Sequence, residues 1–210
     1  MKRKKKLHLP KATLPLIVAE TAAAQITVPF RSLALNELTV VDWDTMLAEK
    51  LWFEKLWSKH GAFLQRGYKT VGRKHEKLVI DRATELTWQQ SGSSDAVTYD
   101  DAEKYIHELN KQKFAGYKDW RLPTLDEAMS LLKPHKSGND LFIEPAFDQT
   151  QKWIWTLDES DAGVPWVVTF RAGCCYVPSE SQYYVRAVRG EFWFPGNESL
   201  AEDALLELIF

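Results

Sequence analysis

The run Asp119-Trp120-Arg121-Leu122-Pro123-Thr124 constrains this chain more than any other segment. It is irregular, and it ends at a strong helix start. Thr124 can cap the helix, Glu127 three residues on can reach back, and Pro123 stiffens the approach. Its distant echo, Tyr183-Tyr184-Val185-Arg186-Ala187-Val188-Arg189-Gly190, is rich in β-formers and strand-like. Neither run holds a nucleophile, an acid–base pair or a metal-ligand spacing. Both read as framework for a surface carried elsewhere.

At 210 residues the chain can bury a substantial core, and its nine tryptophans favour a small fold with large side chains filling irregular space. The formal charge of −2 conceals an asymmetry. Of 27 basic residues, six (Lys2, Arg3, Lys4, Lys5, Lys6 and Lys11) lie in the first eleven positions, and no acid precedes Glu20. The remaining 21 face 29 acids, so the body carries −8 and lacks the overall basic character of a nucleic-acid binder. The basic tip reads as a solvated terminus or as a weak contact with an anionic surface or acidic partner. A signal peptide is disfavoured, because Pro10, Lys11, Pro15 and Glu20 interrupt the apolar stretch. No run approaches the length needed to span a membrane. The two cysteines, Cys174 and Cys175, are adjacent, so on a strand they point to opposite faces and are badly placed to bridge each other. This usage fits a reducing cytoplasm.

Residues 1–36, with prolines at 10, 15 and 29, read as a basic arm or linker. Residues 37–71 read as a helical extension, with Thr39 as cap, Val40, Trp43, Met46 and Leu47 as its apolar face, and an aromatic turn from Trp52 to Trp57. Leu78-Val79-Ile80 predicts a strand, then a turn over Asp81 to Thr84, then Leu86-Thr87-Trp88. Gly92 and its serines mark a loop. A helix opens at Thr98, with Ala102, Tyr105, Ile106 and Leu109 on one face, and a second opens at Thr124. The last third reads as β: Trp153 to Thr156, Trp166 to Phe170, a turn at Arg171-Ala172-Gly173, Cys174 to Val177, and a closing strand from Tyr183 to Val188. The class is α+β, two helices with one twisted antiparallel sheet over residues 72–190. A tail over 191–210 carries a short amphipathic helix from Ser199, which must dock on the body or a partner.

Five spaced segments occur in order: Asp81 to Trp88, Gly116 to Thr124, Trp153 to Thr156, Trp166 to Phe170 and Tyr184 to Arg189. Together they resemble the C-terminal domain family of collagen-like adhesins, over about residues 72–190. The resemblance implies a C-type-lectin-like fold. Glu85 stands where that family commonly has glycine. The Tyr-Val-Arg-Ala-Val-Arg ending also resembles the variable proteins of diversity-generating retroelements. In these, surface residues before the closing strand change while the framework stays.

Lectin-like calcium sites use runs such as Glu-Pro-Asn; Glu144-Pro145-Ala146 lacks the third oxygen donor, and calcium wants six to eight. The histidines at 8, 60, 75, 107 and 135 are scattered and form no zinc set. No cofactor or metal is expected. Catalysis by Cys174 or Cys175 would need a base beside a low-pKa thiol, and only Arg171 is near in sequence. Trp88, Trp120, Trp155 and Trp166 read as core. Arg121, Arg186 and Arg189 read as paired with Asp119, Asp126 or backbone carbonyls. The expected function is non-enzymatic binding of a protein or other macromolecule through a face formed by Asp158, Arg171, Cys174, Tyr176, Ser179, Ser181 and Tyr183. The alternatives are an adaptor that docks a partner by its arm or terminal helix, or an enzyme.

Overall fold

In the computed structural model, residues 54–55, 67–179 and 182–190 are described. Seven strands and two α-helices follow in the order β1 (Tyr68–Arg73), β2 (Glu76–Asp81), β3 (Thr87–Gln89), α1 (Tyr99–Gln112), α2 (Leu125–Ser130), β4 (Trp153–Glu159), β5 (Pro165–Thr169), β6 (Cys174–Tyr176) and β7 (Val188–Arg189). The class is α+β, as expected, but the single sheet of the sequence reading is two antiparallel sheets. One has the order β1-β2-β3-β7 and the other β4-β5-β6. The first sheet begins at Tyr68, inside the segment read as helical extension. The remainder of that segment's predicted helix, the basic arm and the tail helix lie outside the described residues.

Both helices start where the local chemistry dictates. Thr98 Oγ1 accepts the Asp101 N–H at 3.2 Å, and α1 turns Ala102 and Leu109 inward. At its far end Lys113 adopts a left-handed conformation, and its N–H returns to the carbonyls of Leu109 and Asn110. Helix α2 opens with a complete capping box: Thr124 Oγ1 accepts the Glu127 N–H, and Glu127 Oε2 accepts the Thr124 N–H. Thr124 itself is extended, and Pro123 stands immediately before it.

Trp120 is 2 % exposed and held on both sides. Asn110 accepts its N–H at 2.7 Å and donates to its carbonyl at 2.8 Å, while the indole N–H donates to the Phe114 carbonyl. Side chains of α2 (Leu125, Ala128, Met129), of the first sheet (Val79, Trp88, Val188) and of the second (Ile154, Trp166, Val168) share one core with Phe170, just beyond β5. Trp155 and Trp166 are buried too, so all four framework tryptophans are core.

The closing run behaves differently from the continuous strand expected over Tyr183 to Val188. Only Val188 and Arg189 join a ladder, against β3. Upstream, Tyr183 bridges Val97 and Tyr184 bridges Ile154. Val185 accepts from the Ser93 N–H, and Ala187 exchanges bonds with the backbone and side chain of Gln89. The run is a seam that satisfies its backbone groups on two sheets and a loop in turn. Gly92 lets this seam close, because a Cβ there would stand 1.7 Å from the Val185 carbonyl oxygen.

The arginines are framework, with partners that partly differ from those expected. Arg121 pairs with Glu127 and also donates to the carbonyls of Leu122 and Gly190. Asp119 pairs with Arg189, as expected, and the unexpected partner is Glu127. Arg186 is fully buried, donates to Gln151 Oε1 and to the Asp148 carbonyl, and lies over the rings of Phe147 and Phe170. Burial pushes its guanidinium down to about 10, opposed by the charge of Asp148.

Candidate functional site

The β5–β6 hairpin carries the centre of the expected face. Its turn closes through the Gly173 N–H, which donates to the Thr169 carbonyl, and Arg171 is exposed there. Register then places Cys174 against Thr169, Cys175 against Val168 and Tyr176 against Val167. Tyr176 and Val177 are 36 % and 38 % exposed, and they are the exposed large hydrophobic side chains among the described residues. Ser179 and Gln182 are also exposed, while Ser181 lies outside the described residues.

Three members of the expected face are not at the surface. Cys174 is buried, as is Cys175, so both faces of β6 are covered at these two positions where alternation suggested one open side, and the strand opens only at Tyr176. The backbone of Lys55 reaches this edge, donating to the Gly173 carbonyl. Burial, with the Glu54 charge adding to it and Lys55 opposing it, pushes the Cys174 thiol up to about 11. It is therefore a protonated thiol at neutral pH and a poor nucleophile. Asp158 is wholly buried, and its Oδ2 accepts the Leu125 N–H at 2.6 Å. A carboxylate at the first turn of α2 satisfies an N–H that the helix itself cannot, and it meets the positive end of the dipole.

Tyr183 is 2 % exposed because its backbone is locked to Val97 and its ring is enclosed by aromatics. Trp155 approaches it to 4.8 Å between ring centroids, and Trp153 and Tyr176 each to 6.3 Å, all edge-on. Tyr99 extends the chain of rings through Trp155. Burial, reinforced by the charges of Glu103, Glu159 and Asp158, pushes the Tyr99 phenol up to about 12. The outermost ring, Tyr176, thus rests on a stiff aromatic stack. Edge-on pairs of this kind are worth about 0.5–1.5 kcal/mol each beyond area burial. The fold brings Tyr176 and Tyr183 together. Arg171 sits at the other end of β6, in the hairpin turn.

Apart from this face, a cleft of about 430 Å³ is walled by Glu76, Lys77, Gln90, Ser91, Tyr105 and Asp148 among others. Sequence reading missed it, since its walls come from separate elements with no shared motif. Its polar groups largely bond one another: Ser91 donates to Asp148 and Gln89 to Tyr105. Burial acts against ionisation of Asp148, but hydrogen bonds from Thr150 and Ser91 and the Arg186 charge outweigh it and hold the carboxyl below its usual range. Glu144 of the short Glu-Pro-Ala run is paired with Lys133. Among the described residues no group of three or more His, Cys, Asp or Glu side chains is placed to hold a metal ion. Nor is any described helix long and apolar enough to cross a membrane.

Compared with known proteins, the family described as the Lcl C-terminal domain matches residues 77–189. No curated protein and no solved structure matches. The matched span runs from β2 to β7 and takes in both helices, the hairpin bearing Tyr176 and the closing seam. The chain belongs to the Lcl C-terminal domain family.

Proposed function

We propose that the protein is a non-enzymatic binding module of C-type-lectin-like fold, and that it captures a protein or other macromolecular ligand through the face around Tyr176 and Val177. One observation carries this reading. The exposed large hydrophobics of the described residues are neighbours, Tyr176 at the end of β6 and Val177 at the start of the irregular segment that leads to the closing seam. A tyrosine with a supported ring and an adjoining apolar side chain is a typical binding anchor, offering large area at low entropic cost. Family membership supports a binding role, and two small antiparallel sheets with the first and last strands in one sheet support the lectin-like reading. The raised Cys174 thiol supports a non-catalytic role for the cysteines, and their unbridged state fits a reducing cytoplasm.

The finer reading is the variable protein of a diversity-generating retroelement, with the segment from Arg171 to Tyr183 as its changing part. Support comes from the closing Tyr-Val-Arg-Ala-Val-Arg run and from exposed side chains set on a framework pinned elsewhere. Sequencing the gene's neighbourhood tests it. A reverse-transcriptase gene with a near-copy of the 171–183 coding segment, differing at adenines, is expected. A neighbourhood lacking both would remove the retroelement role and leave the binding role standing. The binding role is tested by panning a displayed protein library against the full chain and its Tyr176→Ser, Val177→Ser variant. Binders that recognise both forms equally would overturn it.

A further inference from the structure

A cluster of basic side chains lies where the C-terminal segment leaves the domain. Tyr117 is its centre. The Arg189 guanidinium packs over the Tyr117 ring at 3.7 Å and that of Arg73 at 4.4 Å, and Arg73 also donates to the Tyr117 hydroxyl. Arg189 spends Nε and one Nη on Asp119, at 2.8 Å each. A Cβ built on Gly116 would stand 3.3 Å from the Lys74 ammonium, so that head group reaches the same loop. Lys113 and Lys118 flank the loop and are exposed. The ring's quadrupole tolerates the two neighbouring guanidiniums, and most of their donors are left over for another acceptor.

The hairpin that presents Arg73 and Lys74 is strained for the purpose. Arg73 pairs with Glu76, so Lys74 and His75 form a two-residue turn, with φ of 50° and 71°. Such turns favour Asn-Gly because both central residues need positive φ. A lysine in that conformation points to a role beyond turn formation.

We propose that this face docks the chain's own segment from Glu191 to Glu207. That segment holds Glu191, Glu198, Glu202, Asp203 and Glu207, and no Lys, Arg or His. It is joined to the body at Gly190, one residue beyond Arg189, and the Gly190 carbonyl accepts from Arg121. The eight residue steps from Gly190 to Glu198 reach up to about 26 Å when extended, ample for a neighbouring face. A tether this short supplies an effective concentration in the millimolar range, so even weak charge pairing is populated. The proposal stands independently of the binding face at Tyr176.

Zero-length carbodiimide cross-linking of the full chain, mapped by mass spectrometry, tests it. Cross-links are expected from Lys74, Lys113 or Lys118 to Glu198, Glu202, Asp203 or Glu207, unchanged on dilution and lost at high salt. Arg73→Glu with Lys74→Glu should abolish the link at position 74. Adding Glu202→Lys and Asp203→Lys should restore a link there with the polarity reversed. Three results would overturn the proposal: tail cross-links confined to Lys2–Lys6, links found only between isotopically distinct copies, or no tail cross-link in a chain whose melting is unchanged.

Discussion

Arg121 and Glu127 form a two-pronged ion pair, Nη1 to Oε2 at 2.6 Å and Nη2 to Oε1 at 2.7 Å, with the glutamate wholly buried. The same carboxylate accepts the Thr124 N–H at 2.9 Å, so one side chain closes the capping box and anchors the approach to α2. Arg121 in turn holds the carbonyl of Gly190, tying the end of the domain to its middle. Removing Glu127 would strand a largely desolvated guanidinium and free a helix N–H. Glu127→Ala is expected to cost about 3–5 kcal/mol in urea denaturation, and Glu127→Gln less. A loss below about 1 kcal/mol for the alanine variant would mean that solvent already screens the pair.

Trp120 is a framework residue, and truncating it should be felt in stability. Trp120→Ala should cost about 3–5 kcal/mol, the range for a buried aromatic. Asn110→Ala deprives the Trp120 N–H and carbonyl of their partners and should cost about 1–3 kcal/mol. A Trp120→Ala melt equal to the parent's, together with lost ligand capture, would reassign the ring to binding.

Local signals were legible in the sequence, and contacts between distant segments were not. Thr98, Thr124 and Glu127 announce their helices because capping operates within four residues. The strands of the last third were visible from their β-formers. Their division into two sheets was not, since it depends on where the 183–187 seam finds partners. Asp158 illustrates the limit. A carboxylate in a strand suggests a solvent-facing residue, yet here it caps a helix 33 positions away. Tyr183 is the converse, an aromatic at the edge of an irregular loop that three other rings enclose. β1 was overlooked because Tyr68 to Arg73 holds few apolar residues and presents mostly exposed side chains.

Glu85 has a φ of 59°, a conformation that glycine adopts freely and that costs other residues about 1–2 kcal/mol. Glycine is also the residue that the family resemblance places here. Glu85→Gly should therefore stabilise the protein, by about 1 kcal/mol or less once the greater freedom of the unfolded chain is counted. The opposite holds at Gly92, where a methyl would collide with the Val185 carbonyl, and Gly92→Ala should be severely destabilising. A lower melting temperature for Glu85→Gly would show that the Glu85 side chain makes contacts outweighing the backbone cost.

The Cys174 thiol, raised from 9.0 to about 11 mainly by burial, sets a pH dependence of known sign. A group held protonated by the fold lends stability that is fully present below pH 9 and is lost as pH rises through about 11. At neutral pH it holds roughly a hundredfold less thiolate than a free cysteine, so a thiol-specific reagent should label it slowly. Labelling of native Cys174 as fast as that of urea-unfolded protein would contradict this burial.

The exposed and buried tyrosines of the binding face should separate cleanly on substitution. Tyr176 is over a third exposed and meets the Tyr183 ring edge-on, so Tyr176→Ala should cost about 1–2 kcal/mol. Tyr183 is 2 % exposed and sits at the centre of the aromatic stack, so Tyr183→Ala should cost about 3–5 kcal/mol. Binding should divide the other way. Anchors at the outer surface carry most of an interface's energy, and a supporting ring acts through the anchor it holds. Tyr176→Ala with Val177→Ala should leave the circular-dichroism melt within a few degrees of the parent and abolish capture of any binder selected on the native face. Arg171→Ala, at the far end of β6, should weaken capture less. If the Tyr176 and Val177 double variant unfolds, these side chains belong to the core. If it stays folded and still captures the same binders, the recognition surface lies elsewhere, and the cleft between Lys77 and Asp148 becomes the next face to test.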